Sequence, residues 1–392
     1  MLNQNYIQYE KKLISNKNRF KLNTKDQSEL KKDFKNSNIL IIGAAGSIGS
    51  IFTKDILNYN FKNLILIDKN ENELTEINRK IILLIKNKKI LNKISYICSD
   101  LTSFNVNDLI LKFKITHYLN FAALKHVRSE EGIDSIKYML LTNSSKFINS
   151  SNLKSLRSLK KIFSISTDKS VNPSSILGLS KVFMEQKLAK IKKRNKLFVS
   201  TARFANVGFS NGSILKNIID RINEKKTFGI PESIKRYFIT HEEASSICFA
   251  SLLKRNNGYI LIPDNKILGQ QQTIKSLCNK ICKIKKIKPL YYSNPKKILG
   301  AINLKKYPIF LSSGINHGQK KQEEMIGQTE KIENDVSYSY FKKTKLFFYK
   351  DFTNTINFIL KQNNVQNVKN ILRKKFKVYK PVSKPQKISK TI

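Results

Sequence analysis

The chain has 392 residues, 40% of them hydrophobic and 26% charged, which is enough for a buried core and too apolar for general disorder. It carries 73 Lys and Arg against 28 Asp and Glu, a net charge of +45, but the lysines are spread over nearly every segment and only ten of the basic residues are arginine; no specific nucleic-acid partner is expected. Four cysteines without a C-x-x-C pair exclude a disulfide framework, and no run reaches the roughly 18 to 20 apolar residues of a transmembrane segment, so a reducing cytoplasm is the expected location.

Residues 1–36 are polar and lysine-rich and read as an N-terminal extension, with order beginning at Asn38. "NILIIG" (38–43) is a buried strand: a short, β-branched apolar run ended by glycine. From there the pattern alternates. Strands are expected at 63–68, 94–100, 115–123, 160–166 and 197–204, and helices at 47–58, 71–87, 134–152 and 176–193. Such alternation implies βαβ units and hence a Rossmann-type, doubly wound parallel sheet covered on both faces. The Rossmann domain is expected over 37–206. A smaller substrate-binding lobe follows over 207–340, returning strands of the sheet included. Residues 341–392 read as a basic C-terminal extension with a helix at 352–363 and a disordered end. Cys278 and Cys282 share one helical face and read as core, with no supporting ligand pair for a metal.

"GAAGSIG" carries Gly43, Gly46, Ser47, Ile48 and Gly49 from the first strand into the first helix. Glycines there allow a tight turn and close approach to a pyrophosphate, while the helix N-terminus supplies oriented N–H donors. Asp68 ends the second strand 25 residues after Gly43, where a carboxylate can accept from ribose hydroxyls and repels a 2′-phosphate; NAD is favoured over NADP, although Lys69 next door blurs the preference. A simple strand-end cap remains open for Asp68. Asp100, followed by Leu101, can contact adenine or cap the next helix.

Further motifs follow in order: "FAALKHV" (121–127), "STDKSVNP" (166–173), "GLSK" ending at Lys181, "ARFANVGFSNGS" (202–213), "KRYFIT" (235–240) and "GQKKQEEM" (318–325). On these motifs, residues 38–330 resemble the extended short-chain dehydrogenase/reductase superfamily, and within it the polysaccharide-biosynthesis branch of UDP-N-acetylglucosamine 4,6-dehydratases. The resemblance implies a tightly bound NAD or NADP that is regenerated in each turnover, with Ala122 among its contacts, a nucleotide-sugar substrate, and a homo-oligomer formed through helices of the sheet domain. It assigns Thr167 to the C4 oxygen, Asp168 as general acid, Lys169 as general base, and Lys181 to the nicotinamide ribose. A lysine base needs a pKa lowered towards neutrality, for which burial and the neighbouring Lys181 are the expected causes. The resemblance also places Lys125, Asn206 and Arg236 on the substrate, with His126 more plausible as a packed residue than as a base.

Two positions depart from the pattern. Leu177 stands four residues before Lys181, where most of the superfamily carries a tyrosine that removes the C4 hydroxyl proton. Thr167 relaying to solvent, or Asp168, is the remaining acceptor. Asn316 stands where the family often has arginine, so that nucleotide contact is either lost or moved to Lys320. An epimerase of the same superfamily and a non-catalytic nucleotide-sugar or polyanion-binding protein stay open as alternatives, as does a solvated ion pair for Asp168 and Lys169.

Overall fold

The computed structural model describes residues 4–126, 130–148, 153–194, 196–294, 306–313, 319–335, 337–348, 350, 352–376 and 379. Two helices, α1 (Gln4–Leu13) and α2 (Thr24–Phe34), precede the sheet. The Rossmann unit then runs β1 (Asn38–Ile42), α3 (Ser47–Ile56), β2 (Asn63–Asp68), α4 (Glu71–Leu84), α5 (Lys88–Leu91), β3 (Ile94–Cys98), α6 (Val106–Lys112), β4 (His117–Asn120), α7 (Ile133–Leu140), β5 (Lys161–Thr167), α8 (Ile176–Arg194) and β6 (Phe198–Phe204). These six strands lie in the order β3-β2-β1-β4-β5-β6, all parallel. The order reverses between β1 and β4, and a ligand crevice belongs outside the carboxyl ends of the strands at that switch. Three more strands extend the sheet beyond β6: Tyr259–Pro263 pairs with β6 in parallel, then Phe341–Lys345 and Ile332–Asn334 follow antiparallel.

The strands form where the apolar runs are because each is covered on both faces; all five residues of β1 are buried. Helix α7 is shorter than expected, passing into one π turn at Leu141–Ser145, and residues 149–152 of the expected helix lie outside the described residues. The smaller lobe contains α9 (Ile214–Asn223), α10 (His241–Ser251), the helix Ile274–Ile284 and a three-stranded sheet. Cys278 and Cys282 are buried in its core. No helix among the described residues is long and apolar enough to cross a membrane.

Both expected extensions turn out to be built into the body. Phe20, Leu30 and Phe34 are fully buried in the main core, and Arg19 and Asp26 tie the segment down through ion pairs of 2.6 Å to Glu243 and Arg255. Helix α1 packs on the smaller lobe, with Tyr6 and Tyr9 against Phe209 and Glu10 paired to the buried His241 at 2.6 Å. Order therefore begins well before Asn38: a few well-placed aromatic residues anchor a segment that is polar on average. At the other end, Phe341–Lys345 is a strand of the main sheet, and helices Thr353–Leu360 and Val365–Lys375 pack on α7 and α8. Phe183 of α8 meets Phe352 and Phe376 at ring-centroid distances of 4.6 and 5.2 Å. Residues 380–392, expected to be disordered, lie outside the described residues.

Candidate active site at the carboxyl edge of the sheet

The glycine turn is formed as the spacing predicts. Gly43 has φ +76°, and a Cβ there would sit 2.5 Å from the backbone nitrogen of Ala122, so the β1 and β4 loops touch in a way only glycine permits. Gly46 precedes α3 with no side-chain cap, which leaves the first-turn donors of Ser47 and Ile48 facing the crevice without a competing side chain. Gly49 is buried in the first turn. Asp68 accepts from the backbone N–H groups of Ala45 at 2.8 Å and Asn70 at 3.0 Å. It both braces the turn and keeps lone pairs for a ribose, so the residues present fit a dinucleotide.

At the adenosine end, Asp100 is more committed than expected. Its Oδ1 accepts from the N–H and hydroxyl of Thr102, and its Oδ2 from the Tyr138 hydroxyl. Burial pushes the carboxyl pKa up, but the hydrogen bonds from Tyr138 and Thr102 outweigh it and hold the pKa down. Lys69 donates to the same Tyr138 oxygen at 3.0 Å, forming a chain from β2 across α7 to β3. Leu101 is buried in the core on that side.

The segment after β5 gathers the groups assigned to the chemistry. Thr167 Oγ1 donates to Asp168 Oδ1 at 2.9 Å, and Lys169 Nζ donates to the same oxygen at 3.0 Å. Asp168 Oδ2 is buried and has no hydrogen-bond partner among the described residues. An orphaned carboxylate oxygen is costly unless a ligand supplies the donor. Gly178 makes the segment possible: a Cβ on it would lie 2.2 Å from the Lys169 carbonyl oxygen, so α8 can start directly against the 168–170 turn.

Lys169 departs from expectation. Burial, the largest influence, pulls its pKa down, but the charges of Asp168 and then Glu323 outweigh it and raise the pKa. The neighbour expected to lower it, Lys181, points elsewhere and donates to the Ile165 carbonyl at 3.0 Å. Burial takes the pKa of Lys181 itself down to about 8, partly offset by Glu185. At rest Lys169 is thus an ammonium that donates to Asp168 Oδ1.

Lys125 donates to Ser210 Oγ at 3.1 Å, and burial, then the charge of Lys169, lowers its pKa to about 8. His126 packs its ring against Gly212. Asn206 is half-buried, and its side chain donates to the Tyr237 carbonyl at 3.4 Å. Arg236 is not the open fork expected: its guanidinium binds the carbonyls of Lys235, Lys320 and Lys321 and lies 3.5 Å from Glu323. It clamps the 319–325 segment over the site because that chain carries the acceptors within reach. Lys320 donates to the Val171 carbonyl at 2.6 Å. Asn316 lies outside the described residues.

Three acidic residues were missed. Glu323 lies 3.7 Å from Lys169 Nζ and 3.9 Å from Lys320 Nζ, almost fully buried. Glu185, one turn after Lys181, accepts from Ser166, Ser170 and the Arg203 guanidinium, a buried network directly beneath the 168–170 turn. Its spacing from Lys181 was the available signal. Glu130 accepts from the N–H of Leu177 at 2.9 Å, and so caps α8 from a distant loop. Leu177 is itself buried. Among the described residues there is no group of three or more His, Cys, Asp or Glu that could hold a metal.

A family model described as "Polysaccharide biosynthesis protein" matches residues 39–345. The capsular polysaccharide biosynthesis protein CapD of Staphylococcus aureus is 26% identical over 313 residues, covering 78% of this chain and 47% of CapD; the chain spans about half the length of the curated relatives it matches first. Two solved structures share the fold. A UDP-N-acetylglucosamine 4-epimerase from Methanobrevibacter ruminantium M1 is 16% identical, with 85% of this chain and 98% of that chain covered and a TM-score of 0.56. DesIV, a dTDP-glucose 4,6-dehydratase from Streptomyces venezuelae, is 15% identical, with 87% and 98% covered and a TM-score of 0.55. With its order of strands, glycine turn and family match, the chain belongs to the polysaccharide biosynthesis protein family and has a Rossmann-type fold.

Proposed function

We propose that the chain is a nucleotide-sugar 4,6-dehydratase acting on UDP-N-acetylglucosamine, with NAD(P), preferably NAD, held at the glycine turn. The observation that carries this reading is the hydrogen-bonded triad of Thr167, Asp168 and Lys169 around the buried Asp168, one of whose carboxylate oxygens awaits a donor. Bound NAD(P) would supply the hydride acceptor for C4 and the donor for C6. The protein's task is then to take the C5 proton and to protonate the departing C6 hydroxyl. The resting ion pair has the wrong polarity for both steps. Moving one proton from Lys169 to Asp168 along their 3.0 Å hydrogen bond yields an amine base and a carboxylic acid side by side. Displacement of water by the sugar favours that neutral pair, because a buried ion pair loses more solvation than a neutral one.

Thr167 would hold the C4 oxygen and relay its proton to solvent, in place of the phenol that Leu177 cannot supply, since Asp168 already carries the proton taken from Lys169. Lys181, cationic at neutral pH and buried, supplies positive field to the developing C4 oxyanion. The cations of Lys125 and Lys320 favour the diphosphate of a nucleotide sugar, as expected for surface-polysaccharide synthesis. An epimerase is the less favoured reading, since its C4 proton transfers have no tyrosine at position 177.

Incubation of the pure protein with UDP-N-acetylglucosamine is expected to give a 4-keto product lacking the C6 oxygen, with loss of at least about a hundredfold in Lys169→Ala. An epimer that keeps the C6 oxygen refutes the dehydratase reading. Full activity in Lys169→Ala refutes the base assignment, and UDP binding without turnover of any nucleotide sugar favours a binding protein.

A further inference from the structure

The edge of the sheet opposite the active site has a character of its own. Seven large hydrophobic side chains among the described residues are exposed, and five of them reach this amino-terminal edge. Helix α4 runs back from the carboxyl end of β2, so its last turn delivers Ile82, Leu83 and Leu84 there, 51%, 81% and 54% exposed. Helix α6 returns in the same sense before β4 and brings Leu111. Strand Phe341–Lys345 runs antiparallel to its neighbour, with Lys345 opposite Tyr259, and so delivers Phe347 to the same edge.

The surrounding charge is predominantly positive, and the exposed Glu333 near Phe347 is paired to Lys345 at 3.4 Å. Each of the six parallel strands is preceded within three residues by an exposed lysine: Lys35, Lys62, Lys93, Lys114, Lys160 and Lys196. Lys86, Lys88 and Lys89 follow directly on the apolar tip of α4 and are exposed. The carboxylate of Asp33 nearby is neutralised by Lys161 at 2.6 Å. Three consecutive exposed apolar residues gain nothing from a soluble polyanion, and a fence of lysines repels a second copy of the same face. Apolar residues at a helix end ringed by lysines match the acyl boundary and phosphates of an anionic bilayer.

We propose that the amino-terminal edge of the sheet is a membrane-docking face, in which the α4 tip at Leu83 enters the interface of an anionic bilayer and the strand-leading lysines meet lipid phosphates. The carboxyl edge, with its cofactor turn and catalytic triad, then faces away from the bilayer and stays open to water-soluble nucleotide sugar. This placement holds whatever reaction the site performs.

The chain contains no tryptophan, so a full-length Leu83→Trp variant carries a single reporter at the tip. With vesicles of equal parts phosphatidylcholine and phosphatidylglycerol, its emission is expected to shift to the blue and to be quenched by brominated acyl chains, and phosphatidylcholine alone should do neither. The double variant Leu83→Asn, Leu84→Asn keeps the net charge and is expected to lose at least about tenfold in partitioning to the anionic vesicles. Three results overturn the proposal: vesicle binding with unshifted emission, which means attraction by net charge alone; unchanged partitioning of the double variant; or a blue shift that grows with protein concentration in the absence of lipid, which means a second copy covers the patch.

Discussion

Replacing Glu323 with glutamine tests the electrostatics of the candidate base directly. Glu323 Oε1 lies 3.7 Å from Lys169 Nζ, a separation at which two unit charges near a protein surface interact by about 4 kcal/mol. The full value does not apply, since Glu323 shares its charge with Arg236 at 3.5 Å and a quarter of the Lys169 side chain is exposed. A third of it, about 1.4 kcal/mol, corresponds to about one pKa unit. The sign follows from the charges. Glu323 favours the ammonium, so removing its charge lowers the pKa of Lys169, and a larger fraction of the lysine is neutral at a given pH. Because the working pair must hold one proton between Lys169 and Asp168 and loses it above the pKa of Lys169, the falling limb of kcat/KM against pH should move about one unit towards acid in Glu323→Gln. The measurement is that profile with UDP-N-acetylglucosamine, beside calorimetric UDP affinity to show that the 319–325 segment still closes. A limb that stays in place or moves towards base, with UDP affinity retained, refutes the argument and leaves Asp168 as the sole control on Lys169.

Lys125, with a pKa near 8, should make UDP binding weaken as pH rises from 7 to 9, because the cation is present below its pKa and lost above it; Lys125→Met should flatten that dependence in the same calorimetric titration. Leu177→Tyr restores a phenol at the usual position, but if acid and base lie at Asp168 and Lys169 it should change the dehydration rate by less than about tenfold, and a gain beyond that would show that C4 deprotonation limits the reaction. Phe183→Ala empties the aromatic contact with Phe352 and Phe376 and should cost about 3–5 kcal/mol in denaturant unfolding. A loss under about 1 kcal/mol would mean that the C-terminal helices contribute little to the cooperative unit.

What could be read in advance follows from where the information lies. Strands β1, β2, β5 and β6 were located to within a residue or two because a parallel strand covered on both faces needs a continuous apolar run, and in a lysine-rich chain such runs stand out. The same composition hid the edges of the fold. Strand Phe341–Lys345 has the sequence FKKTK, yet Lys343 is buried, with its stem across the sheet and its ammonium 4.6 Å from the Tyr259 ring and 3.4 Å from the Arg255 carbonyl. Lysine can serve there because its methylenes pack while its head reaches an acceptor. The 1–36 segment shows only modest helical periodicity, and its packing into the body is not legible in the sequence for a related reason: Phe20, Leu30 and Phe34 carry the burial, and most residues between them are polar.

The site divides in the same way. Thr167, Asp168, Lys169 and Lys181 belong to one strand-turn-helix unit whose spacing is local, so they could be named from sequence. Glu323 reaches Lys169 across more than 150 residues, and Glu130 reaches Leu177 across 47; only the fold creates those contacts. The distant groups nevertheless decide the chemistry. Local sequence puts a lysine where the proposed reaction needs a base, while Asp168 and Glu323 together raise its pKa; in the proposed mechanism the acid-base pair becomes competent only when a ligand excludes water and lets one proton cross. On that account the positive charge at Lys169 belongs to the empty site, and substrate binding itself converts the ion pair into the catalyst.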